Sequence, residues 1–303
     1  MTVHSLSSSA GPFPRGRARP GAMARAAIGA VPPSGLVILA ILSVQIGAGL
    51  AKNLFAALPP SAVVFLRIAA GAAILTVVAR PRLRGLSRRD LAAGAAFGVT
   101  LGVMNLSFYE ALARLPMGIC VTIEFLGPLG VAVAASHRRK DLLWVALAAT
   151  GILLLAPWGQ TSGLNWAGIA FAAVAGGCWA AYILLSAAVG GRFPGTSGLS
   201  FAMLVAVVVI APIGVTSGGT ALLTPELLLL GAGVGLLSSV IPYSVELEAL
   251  RRMPKRVFGI LMSLEPAMAA LVGLVVLGEV LHVREWAAII CVVIASAGAT
   301  RST

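Results

Sequence analysis

The chain contains ten apolar stretches, each close to the length of about 20 residues that an α-helix needs to cross a lipid bilayer. They follow one another almost without interruption, at residues 35–58, 62–79, 91–112, 117–136, 142–157, 166–189, 198–216, 227–249, 257–278 and 286–300. Backbone polar groups inside a bilayer must be paired within the protein, which in practice requires helices or closed barrels. Stretches of this length predict an all-α membrane protein with ten transmembrane helices.

The balance of apolar and charged residues excludes a water-soluble globule. Hydrophobic residues make up 59% of the 303 residues and charged residues 11%, which leaves too little polar surface to cover a soluble fold. The net charge of +12 would favour nucleic-acid binding only if the basic residues formed one accessible patch. They are dispersed between the apolar stretches, so we expect the lipid bilayer as a partner and not nucleic acid.

The distribution of basic residues predicts the orientation of the chain. If the N-terminus is cytoplasmic, every Lys and Arg outside the apolar stretches falls on the cytoplasmic side except Arg114 and Arg284. Cytoplasmic segments of membrane proteins carry an excess of such residues. This bias requires an even number of spans, and ten spans with both termini in the cytoplasm satisfy it.

Residues 1–34 differ from the rest of the chain in composition. They are rich in Ser, Pro, Gly and Arg and contain no apolar stretch of their own, which is typical of a disordered segment. We expect a cytoplasmic tail rather than a cleaved signal peptide, because the first apolar stretch is long enough to remain as a span. Met23 is an alternative first residue.

A shift of 138 residues aligns one part of the chain with another without a gap. The shift places residues 110–116, EALARLP, on residues 248–254, EALRRMP, and then pairs Pro128 with Pro266. Unrelated apolar stretches do not easily share both features in register. The match therefore predicts an internal duplication.

The duplication predicts two repeats, over residues 35–160 and residues 161–303, with five spans each. Because five is odd, the second repeat enters the membrane in the opposite sense. The loops after the two motif copies agree with this, since the first carries Arg114 alone and the second carries several basic residues. This pattern is typical of an inverted-topology transporter. A bundle of unrelated helices would explain the charge bias but not the register.

Five glutamates lie within the apolar stretches or at their ends, where an ionised side chain normally faces a cavity or a partner. Glu124 and Glu265 stand out because each is close to one of the aligned prolines, Pro128 and Pro266. A proline removes a backbone donor and loosens the helix beside the carboxylate. The other three lie nearer span ends, where contact with water or with a basic loop residue is at least as well supported; they are Glu110, Glu246 and Glu248.

Two basic residues, Lys52 and Arg67, lie well inside the apolar stretches, and Gln45 shares a helix face with Lys52. A cavity lined by Glu124, Glu265 and one of these cations would suit a zwitterion, with carboxylates for its ammonium group and a cation for its carboxylate. The alternative is that the carboxylates pair with Lys52 or Arg67 and only hold the bundle together.

Several other side chains are candidates for lining such a cavity or for bending its helices. Those with hydrogen-bonding or aromatic groups inside spans are Asn105, Tyr109, Trp179 and Tyr243. Pro242 predicts a third helix break, beside those at Pro128 and Pro266.

Residues 265–279, EPAMAALVGLVVLGE, resemble the E-P-x-x-A-A-x-x-G-x-x-x-L-G-E signature of the EamA type of the drug/metabolite transporter superfamily. The resemblance extends over about residues 36–300. Four segments also resemble the bacterial threonine/homoserine exporter branch, at residues 45–52, 123–129, 176–184 and 261–267. The first repeat ends without the Gly-Glu of the signature, so Glu279 has no counterpart there and is not taken as a site residue.

This resemblance implies an inner-membrane exporter of small amino acids such as threonine and homoserine. Proton antiport with alternating access is the expected mechanism, with the central carboxylates binding a proton and the substrate in turn. Export of another small metabolite or of a drug-like compound by the same fold is the alternative.

The sequence contains no motif that favours an enzyme. It has neither GxSxG nor HExxH. Its histidines lie outside the apolar stretches; they are His4, His137 and His282. Its cysteines lie inside them without CxxC spacing; they are Cys120, Cys178 and Cys291. We therefore expect no catalytic residue, metal or cofactor. A passive channel is disfavoured, since the glutamates form no ring within one chain.

Overall fold

Helices form all the regular secondary structure in the residues that the computed structural model describes, which confirms the all-α prediction. The described residues are 29–79, 81, 85–115, 117–136, 139–155, 165–272 and 282–301. Contacts divide the chain into residues 1–32 and residues 33–303, and the second unit contains every helix named below. Residues 1–28 of the predicted tail lie outside the described part.

Thirteen α-helices are labelled here in chain order. Those before residue 196 are α1 (Pro33–Ala57), α2 (Pro60–Ala79), α3 (Arg88–Leu112), α4 (Met117–Glu124), α5 (Leu126–Ala134), α6 (Arg139–Leu155) and α7 (Trp166–Arg192). Those after it are α8 (Ser197–Gly218), α9 (Pro225–Gly235), α10 (Ile241–Arg252), α11 (Lys255–Met262), α12 (Leu264–Val272) and α13 (Val283–Arg301). A 3₁₀ turn over Gly219–Leu223 follows α8, and a π-helical turn over Leu236–Val240 joins α9 to α10.

Within the described part of the chain, seven helical segments are long and apolar enough to cross a bilayer. They are Pro33–Ala57, Pro60–Ala79, Arg88–Leu112, Trp166–Arg192, Ser197–Leu223, Pro225–Arg252 and Val283–Arg301. A shorter apolar segment covers Ile119–Ala134, across α4 and α5. The chain is therefore a multi-pass membrane protein. The count of ten spans in two inverted repeats stays a prediction.

Some helices begin earlier than predicted because their first turns are capped. Helix α3 begins at Arg88 rather than at residue 91. The Ser87 hydroxyl accepts from the Asp90 backbone N–H at 3.2 Å, and the Asp90 carboxylate accepts from the Ser87 backbone N–H at 3.1 Å. This reciprocal pairing satisfies backbone donors that would otherwise lack partners at the helix start. Helix α1 begins at Pro33, and proline suits the first helical turn.

Two of the predicted spans consist of two short helices in sequence. Helix α4 ends at Glu124 and α5 begins at Leu126, whereas α11 ends at Met262 and α12 begins at Leu264. Each interruption lies just before one of the aligned prolines, Pro128 or Pro266. A proline has no N–H for the carbonyl four residues earlier, so the helical ladder is locally open there.

The main helix contacts form a pattern of matching pairs. Helix α3 packs against α7 and α8, while the segment of α9 and α10 packs against α1 and α2. Helix α2 packs against α8, and α6 packs against α13. A 138-residue shift relates α3 to the segment of α9 and α10, so the first two sets of contacts are equivalent under exchange of the predicted repeats.

Helix α5 packs closely against α11, on the side of the bundle where α6 begins. A Cβ atom at Gly259 would lie 2.6 Å from the Pro128 carbonyl oxygen, so the contact requires glycine. Nearby, Nη1 of Arg256 lies 2.6 Å from Oδ2 of Asp141, and the Asp141 side chain is only 2% exposed. This ion pair fastens the start of α11 to the start of α6.

We expect Arg256→Met to lower the melting temperature of the purified protein in detergent. Removing Arg256 deletes its short, charge-assisted contact with the buried Asp141 carboxylate, and breaking such a buried pair costs on the order of 3 kcal/mol. The double variant Arg256→Met/Asp141→Asn should melt above the single variant, because the buried charge is then gone. Lys140→Met is the matched control, because Lys140 is exposed and lies next to Asp141 on α6. Equal melting temperatures for Arg256→Met and the control would contradict this role of the ion pair.

Candidate functional site

A buried arginine, Arg67 on α2, lies at the centre of a polar cluster between α2, α3 and α10. Its side chain is 7% exposed. Nη2 donates a hydrogen bond to Oδ1 of Asn105, and Nη1 lies 3.4 Å from the Ser238 carbonyl oxygen that accepts from it. The guanidinium carbon lies 5.3 Å from the ring centroid of Tyr109, a cation–π distance. Neutral groups from α3 and from the π-helical turn therefore contact this cation.

Asn105 connects α3 to α10 as well as to Arg67. Its Nδ2 donates to the Leu101 carbonyl at 2.8 Å and contacts the Tyr243 hydroxyl at 3.0 Å. That hydroxyl also lies 3.2 Å from Oδ1 of Asn105. Asn105 and Tyr243 are separated by 138 residues, which is the shift that aligns the two predicted repeats. The two side chains therefore occupy matching positions and touch each other.

The π-helical turn before Pro242 supplies backbone acceptors to this cluster. Because Pro242 has no N–H, the Ser238 carbonyl four residues earlier is free to accept from Arg67. The preceding carbonyl, of Leu237, accepts from the Ser43 hydroxyl of α1 at 2.6 Å. π-helical turns are frequent at functional sites. Here the turn ties α1 and α2 to α10 through groups that a regular helix would use internally.

Glu124 and Glu265 lie at the two interrupted spans, and Glu124 lies within electrostatic range of both Glu265 and Arg67. Glu124 is the last residue of α4 and is 9% exposed, whereas Glu265 lies in the first turn of α12 and is partly buried. The charge of Glu124 interacts with those of Glu265 and Arg67. The structure thus brings together three of the charged residues that the sequence analysis selected.

A third carboxylate, Glu246 on α10, belongs to the same buried region. It is 5% exposed and accepts a hydrogen bond from the Tyr182 hydroxyl at 2.7 Å. Its charge also interacts with that of Glu265. From the sequence, Glu246 is predicted to lie near a span end, and Tyr182 is not among the predicted site residues. One signal was available, because Glu246 lies three residues after Tyr243 and shares its helix face.

The other two glutamates near span ends differ from Glu246. Glu110 pairs with Arg114, with Oε2 and Nη1 at 2.5 Å, and Glu248 pairs with Arg251 at 3.2 Å. Both ion pairs are partly exposed and lie along a single helix or at its end. Arg114 and Arg251 are thus basic partners of the kind expected for glutamates near span ends.

The remaining candidates are distributed around the cluster. The Trp179 ring of α7 packs edge-on against Phe125, the residue between α4 and α5, with ring centroids 4.8 Å apart. Tyr109 packs against Phe55 at 5.5 Å. Gln45 is partly buried on α1. Lys52 belongs to the same helix, but its side chain lies outside the part of the structure that is described.

An apolar cavity of about 450 Å³ lies beside this region, between α7 and the two short helices α4 and α5. Its walls include Ile123, Leu126, Val131 and Ala180, and none of its lining residues in the described part of the chain is charged. The backbones approach closely at Gly127 and Gly176, where a side chain on Gly127 would collide with the Gly176 carbonyl. A zwitterion has no partner for its charges in this cavity, so we place the candidate site at the charged cluster.

Comparison with known proteins identifies the family. The EamA-like transporter family matches residues 166–301. The threonine/homoserine exporter RhtA of Salmonella typhimurium LT2 is 41% identical over 267 residues, which are 88% of this chain and 90% of that protein. The chain belongs to the EamA-like transporter family. RhtA of Escherichia coli K12 is likewise 41% identical, over 270 residues, with 88% of this chain and 91% of that protein covered.

A solved crystal structure supports the fold of this EamA-like transporter. It superposes with a TM-score of 0.73 at 18% sequence identity, covering 88% of this chain and 96% of that one. The relatives are transporters rather than enzymes. Together with the helices of membrane length, the bacterial relatives make the chain a multi-pass inner-membrane protein.

We expect Asn105→Leu to destabilise the protein more than Tyr243→Phe does. Loss of Asn105 removes a partner from the buried Arg67 guanidinium, and hydrogen bonds to charged groups contribute about 1.5–3 kcal/mol. Tyr243→Phe removes one hydroxyl, while Asn105 keeps the Leu101 carbonyl and Arg67, so about 1 kcal/mol is expected. Thermal unfolding in detergent measures both. A larger loss for Tyr243→Phe than for Asn105→Leu would show that Arg67 does not depend on Asn105.

Proposed function

We propose that this EamA-like transporter exports threonine, homoserine and similar small amino acids in exchange for protons. The observation that carries the proposal is the buried cluster of Glu124, Glu265 and Arg67 at the two interrupted spans. The relatives named as threonine/homoserine exporters, at 41% identity over most of the chain, support the choice of substrate.

The chemistry of the cluster suits an amino-acid zwitterion. Carboxylates at Glu124 and Glu265 are acceptors for an ammonium group, and charge-assisted hydrogen bonds of this kind are the strong ones. Arg67 offers a cation for the substrate carboxylate, and its Nε has no hydrogen-bond partner in the described part of the structure. A buried donor without a partner is costly. A bound carboxylate would supply the missing acceptor.

The predicted topology of ten spans in two inverted repeats, residues 35–160 and 161–303, belongs to this proposal, with both termini in the cytoplasm. The matching helix contacts described above support it, because a two-fold relation requires them. The contact between Asn105 and Tyr243 supports it further. Equivalent residues that touch each other lie beside the axis that relates them.

We propose that the interrupted spans are the hinges of alternating access. In the proposed orientation, α5 and α11 form the cytoplasmic halves of their spans, and their close contact at Gly259 closes that side. In the described residues, the outer halves α4 and α12 form no comparable contact. The structure therefore corresponds to an outward-facing state in our proposal. Bending at Phe125 and Ser263 would separate α5 from α11 and open the cytoplasmic side.

A second candidate is export of another small metabolite or a drug-like compound. The apolar cavity of about 450 Å³ beside the cluster favours it, since pockets for drug-like molecules are mostly apolar. This candidate predicts transport that does not depend on Glu124 or Arg67.

We expect expression of the protein in a sensitive bacterial host to raise tolerance to excess homoserine and threonine. Proteoliposomes loaded with either labelled amino acid should release it when an inward proton gradient is imposed. Apolar toxic compounds are the comparison set. Release that is insensitive to the gradient, or tolerance to apolar compounds alone, would contradict the proposed exporter.

We expect Glu124→Gln and Glu265→Gln each to weaken substrate binding. Loss of a hydrogen bond to a charged group costs about 1.5–3 kcal/mol, which corresponds to about tenfold to a hundredfold in affinity. Half-saturation concentrations for export in proteoliposomes measure the effect. Glu110→Gln is the matched control, since Glu110 pairs with Arg114 outside the cluster. Normal export by both variants would contradict the site.

A further inference from the structure

We propose that Glu246, with Tyr182 as its hydrogen-bond donor, is the residue that carries the exchanged proton. The inference rests on the proposed function and deepens it. It separates the proton-binding carboxyl from the carboxylates that bind the substrate ammonium group, Glu124 and Glu265.

The position of Glu246 demands a partner or a proton. The side chain is 5% exposed, in the interior of a membrane protein, and its described hydrogen bond comes from the neutral Tyr182 hydroxyl at 2.7 Å. An ionised carboxylate in such a place is costly even when one neutral donor contacts it. Glu246 is therefore far less costly to bury as the neutral carboxylic acid, while Tyr182 is positioned to stabilise the ionised form.

The charged and polar groups around Glu246 make its affinity for a proton depend on whether substrate is bound. Tyr182 faces it from α7, Tyr243 from its own helix and Glu265 from α12. Helix α1 also packs against α10 and carries Lys52, whose side chain is not described. Two interacting carboxylates in a nonpolar interior are difficult to ionise together. A proton on Glu246 is thus released when the substrate ammonium group binds at Glu265.

In this arrangement, proton binding and substrate binding oppose each other, as antiport requires. An ionised Glu246 adds negative charge near Glu265 and strengthens its attraction for the substrate ammonium group. A proton on Glu246 removes that charge and weakens substrate binding. Proton and amino acid therefore exclude each other, although they bind to different residues.

Ring contacts and hydrogen bonds connect Glu246 with the rest of the site. The rings of Tyr182 and Tyr243 lie 5.7 Å apart, and the Tyr243 hydroxyl contacts Asn105, which binds Arg67. One turn further along α7, the fully buried Ser186 hydroxyl lies beside the Tyr182 side chain and interacts with it.

The test is Glu246→Gln in proteoliposomes, with labelled threonine as the probe. Glutamine still accepts a hydrogen bond from Tyr182 but cannot exchange a proton. We expect the response of transport to an imposed pH gradient to fall by about tenfold or more. Counterflow, which exchanges labelled for unlabelled threonine without a gradient, should persist at a raised half-saturation concentration.

Two control variants distinguish loss of proton exchange at Glu246 from two other effects. One removes the hydrogen bond to Glu246, and the other removes a nearby negative charge. Tyr182→Phe keeps the carboxyl and should retain the gradient response with a shifted pH profile. Glu248→Gln, two residues further along α10, should behave as the unmodified protein, because Glu248 pairs with Arg251 outside the cluster.

The outcomes distinguish this inference from the proposed function. If the unmodified protein moves no threonine, the proposed function is wrong. If it does, and folded Glu246→Gln keeps a full gradient response or loses counterflow as well, Glu246 is not a separate proton carrier. If Glu246→Gln does not fold, Glu246→Asp replaces it, and a pH profile identical to that of the unmodified protein overturns the inference.

Discussion

The structure depends on polar partners for one buried cation, the Arg67 guanidinium. A charge in the interior of a membrane bundle is tolerated only where polar groups surround it. Here the groups come from different parts of the chain: the Asn105 side chain, the Ser238 carbonyl and the Tyr109 ring. The Ser238 carbonyl is available because Pro242 opens the helical ladder, so a proline on one helix determines how an arginine on another is held.

A proline that frees a backbone carbonyl is also present at each of the two interrupted spans. Pro128 and Pro266 each leave the carbonyl four residues earlier without its helical donor, and the helix is interrupted just after Glu124 and just before Glu265. The carboxylates therefore lie at the most deformable points of their spans. Close packing at Gly259 holds one end of these spans together. In the proposed mechanism, substrate charge, helix bending and access to the site are linked through these few neighbouring residues.

The sequence predicts the helices and part of the site, for reasons that differ between the two. Hydropathy identifies apolar helices because the bilayer requires them, but it does not show that Ser87 caps α3 early. The repeat and its prolines lead to Glu124 and Glu265, which are close together in the structure. Glu246 was not selected, because its burial depends on Tyr182, a residue 64 positions away in the chain. Such a contact leaves no local pattern in the sequence, and the available signal is only the position of Glu246 three residues after Tyr243 on the same helix face.

A structure of the protein with homoserine or threonine bound tests the central claim most directly. We predict that the amino acid lies between the two interrupted spans, with its ammonium group hydrogen-bonded to Glu124 or Glu265 and its carboxylate facing Arg67. An amino acid bound instead in the apolar cavity beside α7, or a charged cluster that stays empty at saturating substrate, would contradict it.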